Sequence, residues 1–425
     1  MTEYSSDTSA VLSNSTSERS RQYNVLLAAL LSWLFGGMLM AIVPLTARSA
    51  TISMGIIDES LIGQWFARYL CALLLGSACG GPVFGALGDR MGRTRAMAWS
   101  VLVFSVCLGL ANFARDPWTL SLVWFVAFTG VGGVWPNGVS LTTEVWQSSS
   151  RAWIAGVFGT AANVGLVAMA LLAVCHPITR DNWRWVTIVG IGSLFVGLYT
   201  LKFVPESPSW IASRDRERSH GDRPKRRSLV TDRHLLKRVI LGIFLGTVPL
   251  MGNWGSVNWL MPWADRVSDG TGVLSALTQW TKSGGAVIGA LLGGWFASVV
   301  GPRLSYILIS LASLTTSALV FWFLHPEDPA FLPCVFLLGF VGTMYFGWLP
   351  LCLPKMFPID CRATGTGIAF NTGRVLAAAG VIGSGLLMLY FDGDYARVGR
   401  VTCLSFALGL LLVLVSPALL SADRT

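Results

Sequence analysis

Polar positions are scarce along most of this chain. Where they cluster, they divide it into twelve apolar runs: 24–46, 65–87, 96–114, 118–141, 152–175, 184–204, 236–263, 273–298, 304–325, 330–352, 364–390 and 398–420. Each is long enough to cross a hydrocarbon core, which takes roughly 17–25 residues. Lipid offers no partner for a backbone N–H or C=O, so each run predicts a helix. The loops are short except 205–235, which carries eight Lys/Arg and five Asp/Glu and separates six runs from six. The pattern predicts an all-α membrane protein with two six-helix bundles, 24–204 and 236–420. A polar linker, 205–235, joins them. A disordered tail, 1–23, precedes them and a short tail, 421–425, follows.

Composition sharpens this picture. The 425 residues are 53% hydrophobic and only 12% charged, against about 25% charged in soluble domains. An ordinary soluble enzyme and a disordered chain are excluded. The eight Cys lie mostly inside apolar runs, form no C-x-x-C pair and have only four His beside them, so neither a disulfide framework nor a metal cluster is expected. No nucleophile–base pair stands out, and no cofactor or enzymatic activity is expected. Residues 1–23 do not read as a secretory signal, because the apolar run that follows is too long.

The net charge of +9 follows from topology. With the N-terminus inside, the cytoplasmic segments and run ends hold 21 Lys/Arg and the outer ones seven, with three lying away from the ends of the runs. That is the expected bias for a bacterial inner membrane or plasma membrane protein with both termini cytoplasmic. A nucleic-acid partner is not needed to explain the charge.

The halves repeat. Gly85-Ala86-Leu87-Gly88-Asp89-Arg90-Met91-Gly92-Arg93 follows the second run, and Gly294–Arg303 follows the eighth in a similar pattern. Glu144 and Arg151 after the fourth run are matched by Lys355 and Arg362 after the tenth. Two signals with nearly one offset argue for a duplicated six-helix unit, as in secondary transporters.

These segments resemble the major facilitator superfamily. Gly85–Arg95 is similar to its loop between the second and third helices, and Val204-Pro205-Glu206-Ser207-Pro208-Ser209-Trp210 to the segment ending the sixth helix in its sugar and organic-ion branches. Gly130-Val131-Gly132-Gly133-Val134-Trp135-Pro136, Leu353–Pro358, Arg362–Gly365 and Asn371-Thr372-Gly373-Arg374 resemble bacterial metabolite and sialate-type proton symporters. The chain departs from that pattern where charge matters. Phe35–Leu39 stands where those symporters place two first-helix acids, Val134 replaces a glutamate, and Lys355 replaces another. The resemblance implies twelve helices, alternating access, a monomer and a small-molecule substrate. It also implies an inner gate of Asp89, Arg93, Glu144, Arg151, Glu206 and Arg362 that pairs across the inner face.

The runs contain no Asp or Glu but keep Arg68, Lys282 and Arg374. At 1.5 Å per residue, Arg374 lies about 15 Å and Lys282 about 13 Å into their runs. Arg68 is shallow and is expected to snorkel. An intramembrane cation needs water, a carbonyl or a ligand as its partner. The expected substrate site therefore combines Arg374 and Lys282 with Asn371, Trp135, Asn137, Asn163, Asn253, Trp254, Asn258 and Trp33. Trp263 and Trp295 are expected in an interfacial belt. Pro136 and Pro262 are expected to kink their helices.

The reading is a secondary transporter for a small organic anion, a carboxylate or sialate-like acid. The alternatives are a neutral sugar or polyol carrier of the same fold and a non-transporting membrane sensor derived from it.

Overall fold

The computed structural model describes residues 4–145, 151–220, 233–357 and 362–415. Twelve helices among them are long and apolar enough to cross a membrane. Six make the first half: α1 (Tyr4–Ser53), α2 (Glu59–Met91), α3 (Arg93–Ala111), α4 (Pro117–Val145), α5 (Arg151–Cys175), and a sixth span of two pieces, α6 (Trp185–Ile191) and α7 (Ser193–Phe203). The second half opens with a seventh span, α9 (Arg233–Gly255) and α10 (Leu260–Val267), joined by a 3₁₀ turn at Val257–Trp259. It continues with α11 (Val273–Val300), α12 (Pro302–Phe323), α13 (Phe331–Cys352), α14 (Arg362–Tyr390), and a twelfth span of α15 (Tyr395–Thr402) and α16 (Ser405–Val415).

Two expectations change. Residues 4–23 of the tail expected to be disordered continue α1 as helix. Once packing fixes a helix from Val25 onward, extending it adds one hydrogen bond per residue without a new nucleus. The linker contains α8 (Pro208–His220), while its residues 221–232 and the tail 421–425 lie outside the described residues.

Packing repeats between the halves. α2 lies on α4 as α11 lies on α13, and α1 lies on α5 as α9 lies on α14. Small residues make these approaches close: a Cβ at Gly80 would overlap the Thr129 backbone, and one at Gly293 would overlap the Met344 backbone. The halves meet along two seams, α2 with α14 and α5 with α11.

The helices run past the apolar runs that announced them. The first candidate span reaches Ser53 and the seventh reaches Val267, which brings Arg48 and Asp265 inside helices. Pro136 sits within an unbroken α4. The seventh span breaks at Gly255–Ser256, before Pro262 rather than at it. Trp259 satisfies the backbone there: its Nε1 donates to Gly255 O at 3.0 Å and to Ser384 Oγ at 3.2 Å. Freed carbonyls at membrane depth need such partners.

Candidate functional site

The two deep cations come from the second half. Lys282 on α11 donates through Nζ to Asn258 Oδ1 at 2.6 Å. Asn258 lies in the turn that the break in the seventh span creates, and it is 2% exposed. Arg374 on α14 crosses the seam: its Nη1 donates to Ser77 O on α2 at 3.3 Å and reaches Asn371 Oδ1 at 3.5 Å. Its guanidinium also lies 4.8 Å from the Phe370 ring centroid. Neither cation meets a carboxylate among the described residues. Their partners are neutral, and those of Arg374 are at the long limit of a hydrogen bond.

Three aromatic rings gather on the first half. Trp33 of α1 and Trp135 of α4 have centroids 5.1 Å apart, and Phe158 of α5 lies 6.0 and 5.4 Å from them. The Trp33 Nε1 is buried without a hydrogen-bond partner. Asn163 and Trp254 are half-buried. Gly81 of α2 faces the Asn371 side chain across the seam, whereas a Cβ at Gly85 or at Gly367 would meet nothing within 4 Å. Among the described residues, the α2–α14 seam is therefore close at Ser77, Gly81, Asn371 and Arg374, and no such approach is made at Gly85 or Gly367 toward the linker.

Two expected site residues prove to be helix clamps. Asn137 is 1% exposed, and its Nδ2 donates to Phe84 O at 3.0 Å and Gly133 O at 2.9 Å. It joins α4 to α2, packed where Gly88 leaves room for it. Asn253 Nδ2 donates to Pro249 O and to Gly342 O, both at 2.9 Å, joining α9 to α13. Amides in a water-poor interior need partners, and for the buried Asn137 and the half-buried Asn253 facing backbones supply them. Trp263 is likewise no belt residue. It is buried between Phe321 and Phe331, whereas Trp295 is 62% exposed. Arg68 is held by Gln64 and by the rings of Trp65 and Trp118.

The described gate charges, Asp89, Arg93, Glu144 and Glu206, pair within the first half. Asp89 pairs with Arg93, and Arg93 lies 3.7 Å from Glu144. Glu206 caps α3: it accepts from the backbone N–H of Arg93 at 2.9 Å and of Thr94 at 3.1 Å, and also from Ser207 at 3.0 Å. A carboxylate at a helix N-terminus satisfies otherwise orphaned donors. Gly92, at φ +106, leaves the space that this carboxylate fills. All these partners belong to the first half, so the charges bracket α2, α3, α4 and the end of the sixth span. The side chains of Arg151 and Arg362 lie outside the described residues.

Charged contact between the halves occurs at the other end of the bundle, where sequence reasoning did not look. Arg48 of α1 pairs with Glu59 of α2 at 2.6 Å and with Asp265 of α10 at 3.0 Å. Tyr395 of α15 donates through Oη to Glu59 Oε2 at 2.9 Å. Asp265 is 4% exposed and Tyr395 1%. The rings of Phe66 (α2) and Trp259 lie 4.7 Å apart beside them. The signal available in the sequence was a charge two residues beyond the end of an apolar run, once at Arg48 and once at Asp265.

Known proteins carry the same architecture. The chain is 28% identical over 336 residues to a putative metabolite transport protein of Haemophilus influenzae, covering 77% of this chain and 81% of that protein. It is 27% identical to the gentisate transporter of Corynebacterium glutamicum, with 84% and 83% covered. It is 24% identical to the sialic acid transporter NanX of Escherichia coli, with 93% of each covered. Among solved structures, a D-xylose–proton symporter superposes with a TM-score of 0.72 at 15% identity, over 92% of this chain and 96% of that one. It shows the fold alone. The family model described as Major Facilitator Superfamily matches residues 25–381. With twelve spanning helices in two repeating halves, the protein belongs to that superfamily: it is an integral, multi-pass membrane transporter of small molecules and not an enzyme.

Proposed function

We propose that the protein moves a small organic anion, with one or more carboxylates, across the membrane by alternating access. The observation that carries this reading is the state of Arg374 and Lys282. Both are cations within spanning helices, and among the described residues their hydrogen-bond acceptors are all neutral oxygens. A buried cation with neutral partners leaves an electrostatic deficit that an incoming anion fills. A carboxylate fits the planar fork of Arg374 with two parallel hydrogen bonds. The names of two relatives, a gentisate and a sialic acid transporter, point to the same class.

The linker end, with its excess of Lys/Arg, faces the cytoplasm. On that orientation the Gly85 and Gly367 end of the seam lies toward the cytoplasm. The anion meets Arg374 with Asn371 on α14, Lys282 on α11, and the Trp33–Trp135–Phe158 face of the first half, with Asn163 and Trp254 beside it. The superfamily's duplicated halves enclose a site of this kind within a single chain, and the protein works as a monomer. Arg374 also bridges to Ser77 of the other half. A bound carboxylate competes for that guanidinium, so occupancy of the site loosens one contact between the halves.

Uptake into proteoliposomes tests the reading. A panel of labelled aromatic, dicarboxylic and sialate-type acids is run beside labelled sugars and polyols, with and without a pH gradient. Saturable uptake of at least one acid is expected. Accumulation of uncharged solutes alone overturns the assignment and leaves a neutral-solute carrier.

A further inference from the structure

We infer that Arg48, Glu59, Asp265 and Tyr395 form a latch that holds the two halves together at the end remote from the linker. We further infer that the charge of Asp265 sets how firmly that end is shut. This goes beyond the transport reading and does not depend on which solute is carried.

Asp265 is the buried carboxylate among the described residues. A carboxylate is seldom fully buried unless paired, and its partner, Arg48, comes from the other half at 3.0 Å. Ion pairs taken out of water are screened little by salt, and separating one leaves an uncompensated charge. Arg48 differs from Asp265 in having a second carboxylate, Glu59, within its own half at 2.6 Å. Loss of the Asp265 charge therefore removes one tie to the second half while Arg48 stays paired. Tyr395 makes the second cross-half tie, to Glu59. Close packing backs both ties. Phe66 meets Trp259, and the turn at Gly272, at φ +75, lies against the Ile178 backbone. At the linker end, by contrast, the charges described pair within the first half. Among the described residues, charge thus ties the halves at this end, and a transporter that alternates must break this pair to expose its site on that side.

Cross-linking between α2 and α14 reads the latch directly. A Cβ built at Gly63 lies 2.9 Å from the Met388 Cβ, closer than the 3.5–4.5 Å that a disulfide spans, so the two helices need part by only about an ångström for the bond to form while this end stays shut. In the full-length Gly63→Cys/Met388→Cys protein, with a protease site in the linker to separate the halves on a gel, oxidation joins the halves when this end is shut. In the absence of any solute, Asp265→Asn is expected to slow cross-linking roughly fivefold or more. Asp265→Glu is expected to keep a rate near the parent's, and Arg48→Gln/Asp265→Asn to be no slower than Asp265→Asn, because the two side chains act as one pair. Cross-linking of a monodisperse Asp265→Asn protein at the parent rate overturns the proposal. So does a double variant several-fold slower than Asp265→Asn. Should Asp265→Asn not yield a monodisperse protein, Tyr395→Phe decides in the same assay: slower cross-linking supports the latch, and the parent rate overturns it.

Discussion

Replacing Arg374 by Gln separates the anion reading from a purely structural role for that side chain. In the structure, its Nη1 reaches two neutral oxygens at 3.3 and 3.5 Å. Bonds this long contribute about 1 kcal/mol or less to the fold, so Arg374→Gln should fold, with a melting temperature within a few degrees of the parent. A bound carboxylate would instead make short, charge-assisted bonds to both arms of the guanidinium. Removing them costs about 2–3 kcal/mol after desolvation is counted, an affinity loss of roughly 30–150-fold. Arg374→Lys keeps the charge but loses the fork, and is expected to lose about tenfold. The assay is the concentration dependence of initial uptake of a labelled acid identified by the proteoliposome panel, with thermal unfolding in detergent run in parallel. An apparent KM within twofold of the parent for Arg374→Gln would refute the reasoning. A collapse of folding would do so as well, because it would show that the neutral contacts matter more than their lengths allow.

Two further substitutions give opposite signatures. Lys282→Gln should keep a hydrogen bond to Asn258 while losing its charge, so uptake of acids should fall roughly tenfold with little change in melting temperature. If its pH dependence also stays as in the parent, Lys282 is not where a proton couples. Asn137→Ala should do the reverse: it strips partners from Phe84 O and Gly133 O in a buried seam and costs about 1–3 kcal/mol of stability. The melting temperature is expected to drop by several degrees while the apparent KM for the acid holds, and a raised KM without destabilisation would return Asn137 to the binding site.

The sequence by itself determined the architecture. Twelve apolar runs became twelve spanning helices because a backbone in lipid has no alternative to bonding itself. The repeated loop patterns also announced the repeated packing, since a duplicated unit buries its faces in the same way twice. It further placed Arg374 and Lys282 at depth, because depth is arithmetic along a helix. Rotation and partnership escaped it. Asn137, Asn253 and Asn371 are indistinguishable as polar letters in apolar runs, yet the first two face neighbouring backbones and the third lies beside Arg374. The gate charges were legible as a cluster, but which half each would pair with was not. Arg48 and Asp265, 217 positions apart, became partners only when the two halves closed on each other. Local physics acts between neighbours in the chain and leaves its mark in the sequence pattern. The Coulomb energy of a buried pair depends on where two helices finally stand, and that is decided by packing across the whole fold.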